Sequence, residues 1–152
     1  EPELLLADEP ATALDVTIQA QVLDLIRKLK EKYGISMILI THNLGVVAQT
    51  CDQVAVIYAG KIIEFGSKRD IFTHHAHPYT HGLFASLPSF SIDASRLKPI
   101  PGSMPDPTRL PPGCAFHPRC PFVIEACKTD EIPLMEISQG HFCRCCNIQP
   151  KG

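Results

Sequence analysis

Apolar and polar positions along the chain fall into two regimes that meet near residue 77. In the first, Leu4-Leu5-Leu6-Ala7 is a continuous apolar run, the pattern of a strand covered on both faces. Ile18, Val22, Leu25, Ile26 and Leu29 then recur at helical spacing, which predicts a helix capped by Asp15 and stopped at Gly34. Ile35 to Ile40 reads as a second buried strand and Asn43 to Thr50 as a short helix. Val54–Tyr58 and Lys61–Phe65, joined by Ala59-Gly60, have the form of a β-hairpin. Strand, helix, strand in this order predicts a parallel pair with a crossover helix, closed by the hairpin as an antiparallel edge. In the second regime a helix is expected from Pro78 to about Leu87, followed by an extended connector from Pro88 to Pro112.

Composition sharpens the boundary. Twelve of the fourteen prolines follow residue 77, and six of the seven cysteines follow residue 113. Hydrophobic residues make up 45% and charged residues 20% of the 152 positions, which fits a folded protein. The net charge of -2 and the lack of a basic run speak against a nucleic-acid partner. No apolar run approaches the roughly 20 residues that span a bilayer, so membrane contact is expected only through a partner. Residues 1–20 carry acidic but no basic side chains, unlike a secretory signal. An odd cysteine count without such a signal favours metal binding over a disulfide framework.

The candidate chemistry of the first regime lies at strand ends. Asp8-Glu9 follows the first apolar run, and ligands of parallel α/β sheets bind at the carboxyl ends of strands. An aspartate there suits Mg²⁺, which takes oxygen ligands and keeps several waters. The adjacent glutamate could polarise an attacking water. Thr41-His42 ends the second strand, where an imidazole could reach a terminal phosphate. Taken singly, an acidic pair is also what a strand exit followed by a helix cap produces, and a lone histidine is commonly a surface residue. A phosphate-cradling G-x-x-x-x-G-K-[ST] string is absent: Gly60-Lys61 is followed by Ile62, and no two glycines are adjacent.

The apolar strand, Asp8-Glu9-Pro10, Ala13-Leu14-Asp15, the helix, the second strand and Thr41-His42, in this order, resemble the ATP-binding subunits of ABC transporters. The resemblance implies that Asp8 is the Walker B aspartate serving Mg-ATP and Glu9 the catalytic base. It implies further that Ala13-Leu14-Asp15 is the D-loop, placing Asp15 near nucleotide, and that His42 is the switch histidine sensing the γ-phosphate. His77-Pro78-Tyr79-Thr80, Pro99 to Gly102, and Gly113 to Pro121 narrow the likeness to oligopeptide and dipeptide importers. The implied fold is α/β: residues 1–76 as the carboxyl-terminal part of a P-loop-type ABC ATPase core, then residues 77–152 as an irregular cysteine-rich metal-binding extension. The implied partners are a second, homologous ATPase subunit and transmembrane permease subunits, with a cytoplasmic location on the inner face of the membrane. Lacking the phosphate loop and signature motif, the sequence reads as a piece that begins past the signature helix, inactive alone. Its cut sheet edge and uncovered apolar face would favour self-association. The rival reading, from another class, is a stand-alone metal-binding adaptor in which the Asp8-Glu9 strand is only structural.

Cys114, Cys120 and Cys127 are spaced C-x5-C-x6-C, wider than the usual zinc pairs, and Cys120-Pro121 suits an iron–sulfur loop. Some importers of this subfamily carry a cysteine-ligated 4Fe–4S cluster in this extension. The resemblance implies Cys114, Cys120, Cys127 and Cys145 as its ligands, with Cys143 the rival for the fourth position and zinc the rival metal. Cys51 is expected to be a small buried apolar residue. Of the histidines, His77 is expected to cap the turn before Pro78, and His74, His75 and His81 to be exposed.

Overall fold

A computed structural model describes residues 2–10, 12, 14–86 and 99–148. They belong to two compact units, Glu1–Asp52 and Gln53–Gly152.

In the first unit β1 (Leu4–Asp8) and β2 (Ser36–Ile40) pair in parallel, Leu4 opposite Ser36 through Asp8 opposite Ile40. Helix α1 (Val16–Tyr33) makes the crossover and α2 (Leu44–Thr50) follows β2. Asp15 caps α1 by accepting from the amides of Thr17 and Ile18 at 3.0 and 2.9 Å. Gly34 ends it in the left-handed region at φ 62°, as the sequence led us to expect. The strands depart from expectation in their burial. Leu5, Ala7, Met37 and Leu39 form the more buried face, whereas Leu6 is 64% and Ile40 52% exposed on the other. The unit's helices leave one face of the pair uncovered, so the apolar runs are not buried on both sides as predicted.

The second unit corrects the topology. The hairpin β3 (Gln53–Tyr58) and β4 (Lys61–Ser67) does not close the first sheet; it belongs to a separate antiparallel sheet ordered β3-β4-β6-β5. Strands β5 (Met135–Ser138) and β6 (His141–Cys143) come from the cysteine-rich tail, with Glu64 opposite Cys143 and Phe65 opposite Phe142. The tail is therefore not wholly irregular. The hairpin pairs with it, and both belong to the compact unit that starts at Gln53. Helices α3 (Lys68–Thr73), α4 (Pro78–Ala85) and α5 (Ala126–Thr129) complete the unit, with a 3₁₀ turn at His117–Arg119. The expected end of α4 at Leu87, and positions 88–98 of the connector, lie outside the described residues.

The core of this unit joins the two regimes. Tyr58 and Phe116 are fully buried, and the Tyr58, Tyr79 and Phe116 rings stand 4.6–5.5 Å apart in tilted and edge-on pairs. Arg119 ties the connector to this cluster through the carbonyls of Ile100 and Pro101 and the Tyr58 hydroxyl. Glu64 is completely buried and accepts from the amides of Ala76 (2.6 Å) and His77 (3.0 Å), with His141 Nε2 2.9 Å away. A buried carboxylate tolerates that position because each contact is a donor. Two smaller expectations also change. Cys51 is half-buried and ends α2, and His75 is half-buried, stacked on Phe84.

Candidate functional site

The register of β1 and β2 brings their carboxyl ends level, so the residues that follow each strand meet. The Glu9 amide donates to the Ile40 carbonyl at 2.8 Å, and the chain then turns, with the Thr12 amide donating to the Glu9 carbonyl at 3.1 Å. Glu9 takes φ +46°, an uncommon conformation for a residue with a side chain. Its carboxylate receives the Thr12 hydroxyl on Oε2, while Oε1 lies 2.7 Å from His42 Nδ1. These two hydrogen bonds, Thr12 first and His42 second, hold the Glu9 carboxyl below its ordinary pKa. His42 stays largely exposed and is followed by Asn43, whose amide donates to Thr41 Oγ1 and whose side chain caps α2. A cavity of about 200 Å³ adjoins the pair, lined in part by Pro10, Thr12, Leu39, His42 and Asn43.

Glu9 and His42, predicted from separate strand ends, are thus in direct contact. Asp8 ends β1 with its side chain exposed. Asp15 is engaged as the α1 cap, and its neighbour Ala13 lies outside the described residues. Thr12 was not singled out from the sequence; it sits in a turn without periodicity, and only its place three residues after Glu9 hints at the contact.

In the second unit Cys114, Cys120, Cys127, Cys145 and Cys146 line one small cavity together with His77. Gly113 makes the approach possible. It adopts φ +68°, and a Cβ there would lie 2.4 Å from the Cys127 carbonyl, which accepts the Cys114 amide at 2.9 Å. Cys120 closes the 3₁₀ turn. Arg144 fixes the exit of β6 through its amide to Ile63 O (2.7 Å) and its guanidinium to Ile62 O and Ile132 O, which delivers Cys145 and Cys146. Burial pushes the thiols of Cys114 and Cys120 up and that of Cys145 to about 11. Cys143 is absent from this cavity: it is fully buried on β6, and burial with the Glu64 charge raises its thiol strongly. Among the described residues no group of three or more His, Cys, Asp or Glu side chains is drawn together closely enough to hold a metal ion.

Residues 63–127 match the family model described as "Oligopeptide/dipeptide transporter, C-terminal region". A Brucella ovis protein named as a peptide import ATP-binding protein is 48% identical over 155 residues, covering 97% of this chain and 46% of the relative. The oligopeptide transport ATP-binding protein AppD of Bacillus subtilis is 46% identical over 151 residues, covering 99% of this chain and 46% of the relative. The chain spans about half the length of these curated relatives. Nearly all of it matches proteins named for ATP binding, so the reading as a free-standing metal adaptor finds no support. By these matches the chain belongs to the oligopeptide/dipeptide importer family of ABC transporter ATP-binding subunits, as a carboxyl-terminal portion.

Proposed function

We propose that this chain supplies the hydrolytic half of the nucleotide site in a peptide-importing ABC ATPase, with Glu9 as base and His42 as phosphate sensor. The observation that carries this reading is the Glu9–His42 contact at the carboxyl edge of two parallel strands, beside an open cavity. Glu9 stays ionised at neutral pH, so its carboxylate is ready to accept a proton from an attacking water. His42 holds that carboxylate in place and, being exposed, can also meet a phosphate oxygen. Asp8, exposed at the end of β1, would hold Mg²⁺, which would supply charge neutralisation for the phosphates of Mg-ATP. Asp15, whose carboxylate caps α1, would lie near nucleotide in this reading.

The whole subunit would pair with a homologous ATPase and with transmembrane permease subunits, peripheral on the cytoplasmic face of the membrane. Among the described residues no helix is long and apolar enough to cross a membrane. Residues 1–76 would form the carboxyl-terminal part of the nucleotide-binding domain and 77–152 the importer extension. Without a phosphate cradle in its sequence, the chain by itself should neither bind nor hydrolyse ATP. Millimolar Mg-ATP titrated into the chain should give no saturable binding; tight binding with turnover would remove this reading.

We also propose that Cys114, Cys120, Cys127 and Cys145 hold one 4Fe–4S cluster, with zinc as the alternative metal. The support is that these four, together with Cys146, line a single cavity, around which their side chains would have to close further to ligate a cluster, whereas Cys143 lies outside it. A cluster would supply four thiolate bonds joining the 3₁₀ turn, α5 and the segment after β6. Anaerobically purified chain should contain iron and sulfide in equal amounts and absorb near about 400 nm. Stoichiometric zinc without iron would replace the cluster, and protein free of both would end the proposal.

A further inference from the structure

We propose that Cys127 and Cys146 form an oxidation site, closing into a disulfide when the chain meets hydrogen peroxide or a small-molecule disulfide. Their sulfurs lie 3.4 Å apart. A disulfide bond is about 2.05 Å long, so closure needs an approach of only about 1.4 Å. The two thiols differ in access: Cys127 is buried in α5 and Cys146 is exposed. Backbone bonds at both its amide and its carbonyl hold Cys127, through Ile124 O and the Cys114 amide. Cys146 lies beyond the end of β6, outside any strand or helix. An oxidant therefore meets Cys146 first and finds Cys127 waiting behind it.

The chemistry balances. The Cys146 thiol gives up its proton, its sulfur attacks one peroxide oxygen, and the departing hydroxide takes up that proton, giving a sulfenic acid and one water. The Cys127 sulfur attacks the sulfenic sulfur, forming the S–S bond and releasing the second water. Two thiols and one peroxide thus yield one disulfide and two waters. With a small-molecule disulfide as oxidant, two exchange steps release two small thiols instead. The consequence for the tail follows from the cavity that both sulfurs line. If Cys127 is a metal ligand, as proposed above, the disulfide removes a ligand and a bound metal shields Cys127. Cys146 then guards the metal-free tail. This last step rests on the metal reading; the disulfide itself does not.

The test uses the full 152-residue chain, stripped of metal by chelation, oxidised with limiting peroxide, alkylated and digested with trypsin. The relevant peptides are Cys120–Lys128 and Cys145–Lys151, each with a second cysteine. They should appear joined, and the link should persist in Cys120→Ser and in Cys145→Ser but vanish in Cys146→Ser. Because Cys146 is exposed, its serine variant is not expected to compromise folding. A link that survives Cys146→Ser, a first disulfide between other cysteines, or thiols driven to sulfinic acids without any link would overturn the proposal. A second arm treats chain reconstituted with iron and sulfide in the same way. Cross-linking should slow by about tenfold or more when Cys127 is occupied. Equal rates in iron-loaded chain would overturn the shared role of Cys127. Failure to take up iron would count against the cluster reading alone, leaving the first arm's result standing.

Discussion

Thr12, Glu9 and His42 form a three-membered contact in which the hydroxyl, with the larger effect, and the imidazole both lower the carboxyl pKa. Because the folded value is depressed, the stabilisation from these contacts is present above the ordinary glutamate pKa. It is lost as pH falls through the lowered folded value. Thr12→Ala should move the Glu9 midpoint upward toward the ordinary range, and His42→Ala should move it less. Carbon-detected NMR titration of the Glu9 side chain reads both, and an unchanged midpoint in Thr12→Ala would refute the assignment. Glu9 and His42 were legible in the sequence because each ends an apolar run. Thr12 was not, since nothing in a turn's composition says which hydroxyl reaches back. The same limit hid Cys146: the family resemblance left it outside the ligand pattern, while the fold places its sulfur against Cys127.

At the level of elements, α1 and its caps, the parallel pair and the β3–β4 hairpin follow from patterns that span many residues. Asp15, Gly34 and Ala59-Gly60 punctuate them. Helix α3 was missed because its six residues include only Ile71 and Phe72 as large apolar side chains, too few to set a period. Strands β5 and β6 were missed because they are short and depend on Glu64 and Phe65 of a distant strand for their pairing. Helix α4 carries a pH prediction. His77 caps it by accepting the Tyr79 amide at 3.0 Å, and burial lowers its pKa to about 4 from 6.5. Protonation therefore favours the unfolded chain: stability falls as pH drops below 6.5 and levels off below about 4. The loss is on the order of 3 kcal/mol. Asn at this position keeps a capping acceptor but does not titrate. Hydrogen exchange of the α4 amides should depend less steeply on pH over that window in His77→Asn than in the parent. Equal slopes would show that other groups carry the effect.

For the molecule as a whole, the order of motifs carried the family and the mixed α/β character, while the sheet pairing of the tail was not legible in it. Residues on either side of the proline-rich boundary build one sheet and one aromatic cluster: Tyr58 packs on Tyr79 and Phe116, and Phe65 on Phe142. The exposed face carrying Leu4, Leu6, Ile38 and Ile40 is the physical reason to expect association, with a second copy or with the remainder of a subunit. The central claim concerns the base. In a subunit that joins this chain to a phosphate-binding loop, Glu9→Gln keeps the side chain's shape and its acceptor for Thr12 but removes the carboxylate proposed to take the proton. ATP turnover, measured beside equilibrium Mg-ATP binding, should fall by about 10²-fold or more while binding stays near the parent value. Turnover at the parent rate in Glu9→Gln would contradict the account.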